Sequence, residues 1–228
     1  PFARLVPPPL LAATLDAVMR VAEAHVAALD DGVPLALLQE SFGEGVEPVL
    51  LRACLDAHGS VGPKPKPKPS ADAGEPAGSN DDAEVPTSAE VGSDGPWWIP
   101  CQRRVVARLA DILLKEQEED WRADAFFAAL GQRYSLLAGL SAGDVHGTAA
   151  LIDGKFLRRL PHEELPYDPL ERYKRLVAVK PRWTLAELEG YLGPLEVSGK
   201  ALAAFVGKHC REHKDHAGKG LPTAYSLA

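Results

Sequence analysis

Hydrophobic residues return along much of this chain with the period of an amphipathic helix. Between Leu10 and Leu29 they recur every three or four positions and form one apolar stripe. The members of this stripe are Leu11, Leu15, Val18, Met19, Ala22 and Val26. Equivalent patterns predict helices after Pro34, from Val46 to His58, from Pro100 to Glu118 and from Arg122 to Gln132. The pattern therefore predicts a mainly α-helical chain.

The last part of the chain has the clearest helix starts. Asp168 stands directly before Pro169, where its side chain can accept an amide that the first helical turn leaves free. Thr184 and Glu187 have the spacing of a capping box, which predicts a second helix from this point. The apolar periodicity predicts a third helix from Ser198 to Lys214.

Short β-hairpins are predicted to follow the helices. The strongest signal is the Asp153-Gly154 turn between residues 149–152 and 156–157, because this dipeptide favours a two-residue hairpin loop. Residues 219–220 and 223–227 are predicted to form a similar wing, and Trp97–Ile99 is interpreted as a strand that opens the second module. The predicted fold class is mainly α, with three tandem winged-helix domains and short β-hairpin wings.

One segment separates the first module from the other two. Residues 61–95 contain six prolines, five glycines and seven acidic residues, with no aromatic residue. Such a composition buries too little apolar surface to offset the entropy of ordering, so a disordered linker is predicted. The predicted boundaries are 1–60 for the first winged helix, 96–165 for the second and 166–228 for the third.

The net charge of −7 is distributed unevenly along the chain. It amounts to −5 in residues 1–60, −4 in 61–95, −1 in 96–165 and +3 in 166–228. This balance excludes a protein that coats nucleic acid with its whole surface. Only the C-terminal module has the sign that a phosphate backbone attracts.

The third predicted helix places basic side chains on one flank, opposite Leu202, Phe205 and Val206. A winged-helix domain sets such a helix against a DNA groove while its wing contacts the backbone. The predicted DNA-binding residues, including those of the two wings, are Lys200, Lys208, Arg211, Lys214, Lys219, Arg158 and Arg159. A solvated surface without a partner is the alternative for this flank.

The matching helix of the first module carries mostly acidic residues, which repel phosphate. We therefore predict that this module binds protein, or is only structural. The candidate protein-binding residues are Glu44, Glu47, Arg52 and Asp56.

Two further patterns are weighed as chemistry. Residues 139–143 match the G-x-S-x-G pattern around Ser141, but a helical segment precedes them where a nucleophile elbow needs a buried strand, so an inter-helix turn is predicted. A metal site is conceivable at residues 209–216, which include three His and Cys210, yet partly buried imidazoles are the simpler interpretation. No phosphate-binding G-x-x-x-x-G-K-[ST] loop is present. We expect no cofactor, no metal and no enzymatic activity.

Several motifs of the third module together resemble a known family. They are Leu165-Pro166, Leu170-Glu171-Arg172-Tyr173, Leu176, Trp183-Thr184, Glu187 and Tyr191, with Phe2–Leu5 and Leu51–Gly59 as weaker matches in the first module. They resemble the sister-chromatid-cohesion subunit (the "defective in cohesion" protein) of the alternative replication factor C clamp loader.

The resemblance implies a non-catalytic nuclear subunit that acts in DNA replication and sister chromatid cohesion. Its implied partners are the large subunit and a small accessory subunit of the loader, DNA, and the catalytic subunit of the leading-strand polymerase, DNA polymerase epsilon. The first winged helix is implied to dock on the polymerase, and the other two on single- or double-stranded DNA. A protein-binding winged-helix scaffold without nucleic-acid contact is the alternative function.

Three departures from the family pattern are noted. The β-rich N-terminal region through which the family joins the loader is missing from this sequence. The segment 61–95 is interpreted as replacing the wing of the first module. Residues 221–228 lack the arginine that some relatives carry there.

Overall fold

The computed structural model describes residues 6–43, 46–65, 95–213 and 223–227. Within these ranges the chain forms eight α-helices and three small antiparallel sheets of three strands each. The prediction of a mainly helical chain is confirmed. None of the helices in the described ranges is long and apolar enough to span a membrane.

Unit 1 is built from three helices and the first sheet. Its elements are α1 (Pro8–His25), β1 (Val33–Pro34), α2 (Leu35–Phe42), α3 (Pro48–His58), β2 (Gly59–Gly62) and β3 (Trp97–Pro100). β3 is the central strand and pairs antiparallel with both β1 and β2. The apolar stripe predicted for the first helix lies in the core, where Leu15, Val18, Met19 and Ala22 are completely buried.

The interpretation of Trp97–Ile99 as the first strand of the second module is wrong. Trp98 is completely buried in unit 1, and its indole Nε1 donates a hydrogen bond of 3.1 Å to the carbonyl oxygen of Leu55. β2 and β3 thus form the hairpin of unit 1, so the segment between them does not replace a wing. Val61 and Gly62 belong to β2, whereas most of the predicted disordered linker lies outside the described residues.

Unit 2 repeats this plan with one change. Its elements are α4 (Gln102–Leu114), β4 (Trp121–Arg122), α5 (Ala123–Arg133), β5 (Ala149–Ile152) and β6 (Phe156–Arg159). Two 3-10 turns, at Ser135–Leu137 and Ala142–Val145, take the place of the third helix. The β5–β6 hairpin is confirmed: Asp153 and Gly154 have φ values of +50° and +67°, as a mirror-image two-residue turn requires.

Unit 3 has the same order of elements as unit 1. They are α6 (Pro169–Val179), β7 (Trp183–Thr184), α7 (Leu185–Leu192), α8 (Gly199–His209), β8 (Cys210–His213) and β9 (Ala224–Leu227). Both predicted caps are confirmed. The Asp168 carboxylate accepts the amide of Glu171 at 2.9 Å, and Glu187 accepts the amide of Thr184 at the same distance.

The three sheets share one strand order, in which the last strand of each unit lies between the first and the second. The hydrophobic cores do not correspond one to one with the three units. One cluster of buried residues extends through units 1 and 2, from Leu15 and Trp98 to Phe126 and Leu157. A second cluster fills unit 3 and includes Ala150, which comes from β5. Units 1 and 2 therefore fold around a common core, and unit 3 has its own.

Besides the apolar contact of Ala150, a close backbone contact and one lysine join units 2 and 3. A Cβ at Gly147 would lie 2.6 Å from the carbonyl oxygen of Gly190, so only glycine allows this close approach. Lys180, just after α6, donates a 3.3 Å hydrogen bond to the carbonyl of Leu151 in β5 and forms an ion pair with Glu187. These contacts fix unit 3 against the hairpin of unit 2.

Candidate nucleic-acid and protein interfaces

α8 has one buried and one exposed side, as the sequence predicted. Leu202 and Val206 are buried in the core of unit 3, and Lys200 and Lys208 are exposed. The helix is shorter than predicted, however, because it ends at His209 rather than at Lys214. The next four residues leave the helix to form β8, which pairs with β9. The helical-wheel position assigned to Arg211 is therefore wrong.

Arg211 nevertheless stays exposed, two residues after the end of α8. It lies in β8 opposite Ser226 of β9, and its side chain is exposed. Within the described part of the chain, none of Lys200, Lys208 and Arg211 forms an ion pair with an acidic side chain. We call these three residues the basic surface of unit 3. Lys214 and Lys219, also predicted to bind DNA, lie outside the described residues.

Arg158 and Arg159 of the second hairpin are already paired with acidic residues. Arg158 contacts the carboxylate of Asp120 with three short distances between 2.7 and 3.1 Å. Arg159 donates to Asp111 at 2.7 Å and to Glu164 at 2.5 Å. These hydrogen bonds raise the pKa of both guanidinium groups, and the bond from Arg159 lowers the pKa of Glu164. A phosphate at either arginine has to compete with a carboxylate.

The acidic helix of unit 1 has a mixed surface. Arg52 and Asp56 are exposed and form an ion pair of 2.9 Å along α3. Glu47 stands exposed just before the helix, and the nearby side chain of Val49 is 67% exposed. Glu44 lies outside the described residues. The charge of this surface is therefore largely balanced. The feature that sets it apart is the exposed apolar side chain of Val49.

An apolar pocket beside this helix was missed by sequence reasoning. It has a volume of about 240 Å³ and lies between α2 and α3. Its walls are mostly hydrophobic and include Leu35, Phe42, Val46, Leu51 and Leu55. Helical periodicity indicates which side of a helix faces inward, but no signal in the sequence separates residues that fill a core from residues that line a recess in it.

The two patterns weighed as chemistry have local structural roles. Ser141 lies in the connection between the two short 3-10 helices of unit 2, which confirms the predicted inter-helix turn. Its hydroxyl donates a hydrogen bond of 2.9 Å to the carboxylate of Asp144. The ring of His209 packs against Phe205, and a nitrogen of His213 lies 2.8 Å from the hydroxyl of Ser226. His216 lies outside the described residues. In the ranges that the structure describes, no group of three or more potential ligands is placed to hold a metal ion.

Arg172, part of the motif that carried the resemblance, is a structural residue. It is 1% exposed, and its hydrogen-bond partners in the described structure include no carboxylate. Its guanidinium instead donates to the carbonyl oxygens of Pro166 at 2.7 Å, Tyr191 at 2.8 Å and Leu165 at 3.4 Å. Burial lowers its pKa from the ordinary value. Arg172 thus ties the chain that enters unit 3 to the end of α7.

Comparison with known proteins identifies the family. The family of the sister chromatid cohesion protein Dcc1 matches residues 2–192, which is most of the chain and includes units 1 and 2 with the first two helices of unit 3. α8, β8 and β9 lie beyond the matched range. No curated protein matches the chain significantly. The chain belongs to the Dcc1 family of sister chromatid cohesion proteins.

Proposed function

We propose that this chain is a non-catalytic subunit of the alternative clamp loader, which connects the loader to the leading-strand polymerase and to DNA. Membership of the Dcc1 family gives it a role in sister chromatid cohesion. The loader subunits as partners, DNA polymerase epsilon and the nuclear location belong to the proposal, and they follow from the resemblance of the motifs described above.

The three units are proposed to be winged helices. The support is their common order of elements, in which a short strand follows the first helix and a hairpin closes the unit. The common strand order of the three sheets also supports it, because the same topology is repeated at each position. Unit 2 departs from the plan by having 3-10 turns in place of its third helix.

DNA is proposed to bind at the basic surface of unit 3. The observation that carries this proposal is that Lys200, Lys208 and Arg211 are exposed and without carboxylate partners in the described structure. Free cations on one side of a module can each replace a counterion on a phosphate. Such contacts fix position and affinity but do not select a sequence. The paired arginines of unit 2 are assigned a smaller contribution.

The polymerase is proposed to bind at unit 1. The apolar pocket between α2 and α3 and the exposed side chain of Val49 support a protein partner, since a few apolar anchors carry most of the energy of a protein interface. The balanced charges of Arg52 and Asp56 give phosphate no net attraction. The two functions thus lie at opposite ends of the described chain.

Fluorescence anisotropy with a labelled DNA duplex at low salt tests the DNA interface. The variant Lys200→Glu/Lys208→Glu should weaken binding at least about tenfold, because two attractive contacts become repulsive. The matched control is Arg20→Glu/Arg52→Glu in unit 1, which changes the net charge by the same amount at exposed positions. Equal loss in both variants, or unchanged affinity in the first, would refute the basic surface. A scaffold without nucleic-acid contact would show no affinity in the parent protein.

A further inference from the structure

Three adjoining cavities follow α4 around its surface and form a single groove. Their volumes are about 470, 560 and 510 Å³. Arg103 lines the first and second, and Arg104 lines the second and third, so the helix forms one continuous wall. The wall extends from Gln102 to Lys115, or about 20 Å at the rise of an α-helix. We call this feature the α4 groove.

The opposite wall comes from unit 3, where Glu189 and Gly190 of α7 line the first two cavities. The floor between the walls is backbone rather than side chain. A Cβ on Gly190 would lie 2.7 Å from the Cβ of His146, and one on Gly147 would meet the carbonyl of Gly190. This contact holds the two walls at a fixed separation. The groove is therefore preformed, which lowers the entropic cost of binding.

The unpaired charges of the groove have a definite pattern. Arg103 and Arg104 are exposed, and neither forms an ion pair within the described structure. Glu189 across the groove is also exposed and unpaired in that part of the chain. Asp111 is neutralised by Lys115 at 2.8 Å and by Arg159, which also binds Glu164. Asp144 instead accepts hydrogen bonds from Ser141, and Glu163 contacts His162. The groove thus presents two unpaired arginines on the α4 wall, and across from them carboxylates without an arginine or lysine partner at Glu189, Asp144 and Glu163.

This pattern favours a peptide over a nucleic acid. A nucleic-acid strand carries negative charge along its whole length, so Glu189 would repel it where Arg103 attracts it. None of the described residues that line the three cavities is Phe, Tyr or Trp, and the three histidines among them are buried or half-buried, which leaves little exposed aromatic surface on which bases could stack. A peptide can place acidic and basic side chains at separate positions. At about 3.3 Å per residue, roughly six extended residues match the length of the groove.

We propose that the α4 groove binds an extended segment of a partner protein, with acidic side chains against Arg103 and Arg104 and a basic side chain against Glu189. This site uses none of the residues of the basic surface of unit 3 and none of the apolar pocket of unit 1. It adds a third docking surface, at the junction of units 2 and 3.

A permuted peptide array tests this inference on the full chain. The probes are fluorescein-labelled hexapeptides in which two glutamates and one lysine occupy every combination of positions among alanine and serine. Fluorescence polarisation should detect binding only for peptides with one particular spacing between the lysine and the glutamates, because Glu189 lies at a fixed distance from Arg103 and Arg104. The variant Arg103→Glu/Arg104→Glu should lose at least about tenfold in affinity. The matched control, Arg20→Glu/Arg175→Glu, reverses two exposed arginines outside the groove and should bind as the parent does.

Charge reversal on the other wall separates a specific site from a general loss of folding. Glu189→Lys should shift the preference toward peptides in which a third glutamate replaces the lysine, because the attraction changes sign. Lys200→Glu/Lys208→Glu should leave peptide binding unchanged, which keeps the result independent of the DNA interface. If no hexapeptide binds, or Glu189→Lys leaves the preference unchanged, the inference is wrong. Loss of duplex binding alone in Arg103→Glu/Arg104→Glu would assign the groove to phosphate and also overturn it.

Discussion

Units 1 and 3 share the order of their elements but differ in what they present at the same place. The third helix of unit 1, α3, carries the Arg52–Asp56 ion pair beside an apolar pocket. The third helix of unit 3, α8, exposes Lys200 and Lys208 without such partners. The opposite side of each helix is buried in a hydrophobic core. The two helices therefore differ on their exposed sides rather than on their buried ones. One framework can therefore carry either a charge-balanced surface with an apolar pocket or an unpaired basic surface, depending on a few exposed residues. We propose that the first binds protein and the second binds phosphate.

Units 1 and 3 also differ in how they are joined to unit 2. Unit 1 shares a core with unit 2, whereas unit 3 has its own core and meets unit 2 through Ala150, a close backbone contact and Lys180. We therefore expect the same kind of damage to spread farther in unit 1 than in unit 3.

The largest effects are expected from one tryptophan in each unit. Trp98 and Trp183 are both completely buried, and replacing either with alanine should cost about 3–5 kcal/mol of unfolding free energy. By hydrogen exchange with mass spectrometry, Trp98→Ala should increase exchange from α1 through α5, because that region has one core. Trp183→Ala should increase it mainly in α6–α8. Equal spread in the two variants would contradict the division into two cores.

A smaller effect is expected at the junction of units 2 and 3. In Gly190→Ala the new Cβ would meet backbone of residues 146 and 147, so we expect a loss of about 1–3 kcal/mol in denaturant unfolding. Gly193→Ala is the control, because its Cβ meets nothing within 4 Å and its helical φ of −52° suits alanine. A change within about 0.5 kcal/mol is expected there. Similar costs at both sites would show that the close contact is not formed.

A pH-dependent difference is expected at the histidine that ends α3. Burial, assisted by the charges of Arg108 and Arg104, lowers the pKa of His58 below its ordinary value of 6.5. Since the unfolded chain then takes up the proton more readily, the unfolding free energy should fall as the pH drops from about 7 to about 5. Denaturant titrations should show a shallower fall in His58→Gln. His209→Gln, at the less buried end of α8, is the matched control. If the unfolding free energy of His58→Gln depended on pH as that of the parent does, the assignment of the effect to His58 would be contradicted.

The smallest effect is expected at the ion pair on α3. Asp56→Ala removes an exposed pair of 2.9 Å and should lower the unfolding free energy by only about 0.3–0.5 kcal/mol. DNA affinity should be unchanged, because unit 1 is assigned to a protein partner. A clear, salt-dependent rise in affinity in the anisotropy assay would show that α3 lies near DNA after all.

The sequence predicted the features whose causes are local. Asp168 and Thr184 cap their helices because each side chain reaches an amide within one turn. The turn at Asp153 and Gly154 forms because few other residues tolerate two positive φ values in succession. The exposure of Lys200 and Lys208 followed from helical periodicity around Leu202. These features depend on residues close to one another in the chain.

The features that the sequence missed depend on distant partners. Residues 210–213 continue a helical pattern, but pairing with β9 draws them into a strand. Trp97–Pro100 lies more than thirty residues after β2 and still pairs with it, so proximity along the chain assigned it to the wrong unit. The pairing of Arg158 with Asp120 and the Gly147–Gly190 contact likewise bring together segments that no local pattern connects.

The salt dependence of DNA binding tests the contrast between units 1 and 3 most directly. If Lys200, Lys208 and Arg211 each neutralise one phosphate, the logarithm of the binding constant should fall against that of the salt concentration with a slope of about −2.7 or steeper. Lys208→Gln should reduce the steepness by about 0.9, and Arg52→Gln in unit 1 should not change it. A flat dependence, or a slope that responds to Arg52 rather than to Lys208, would contradict the account.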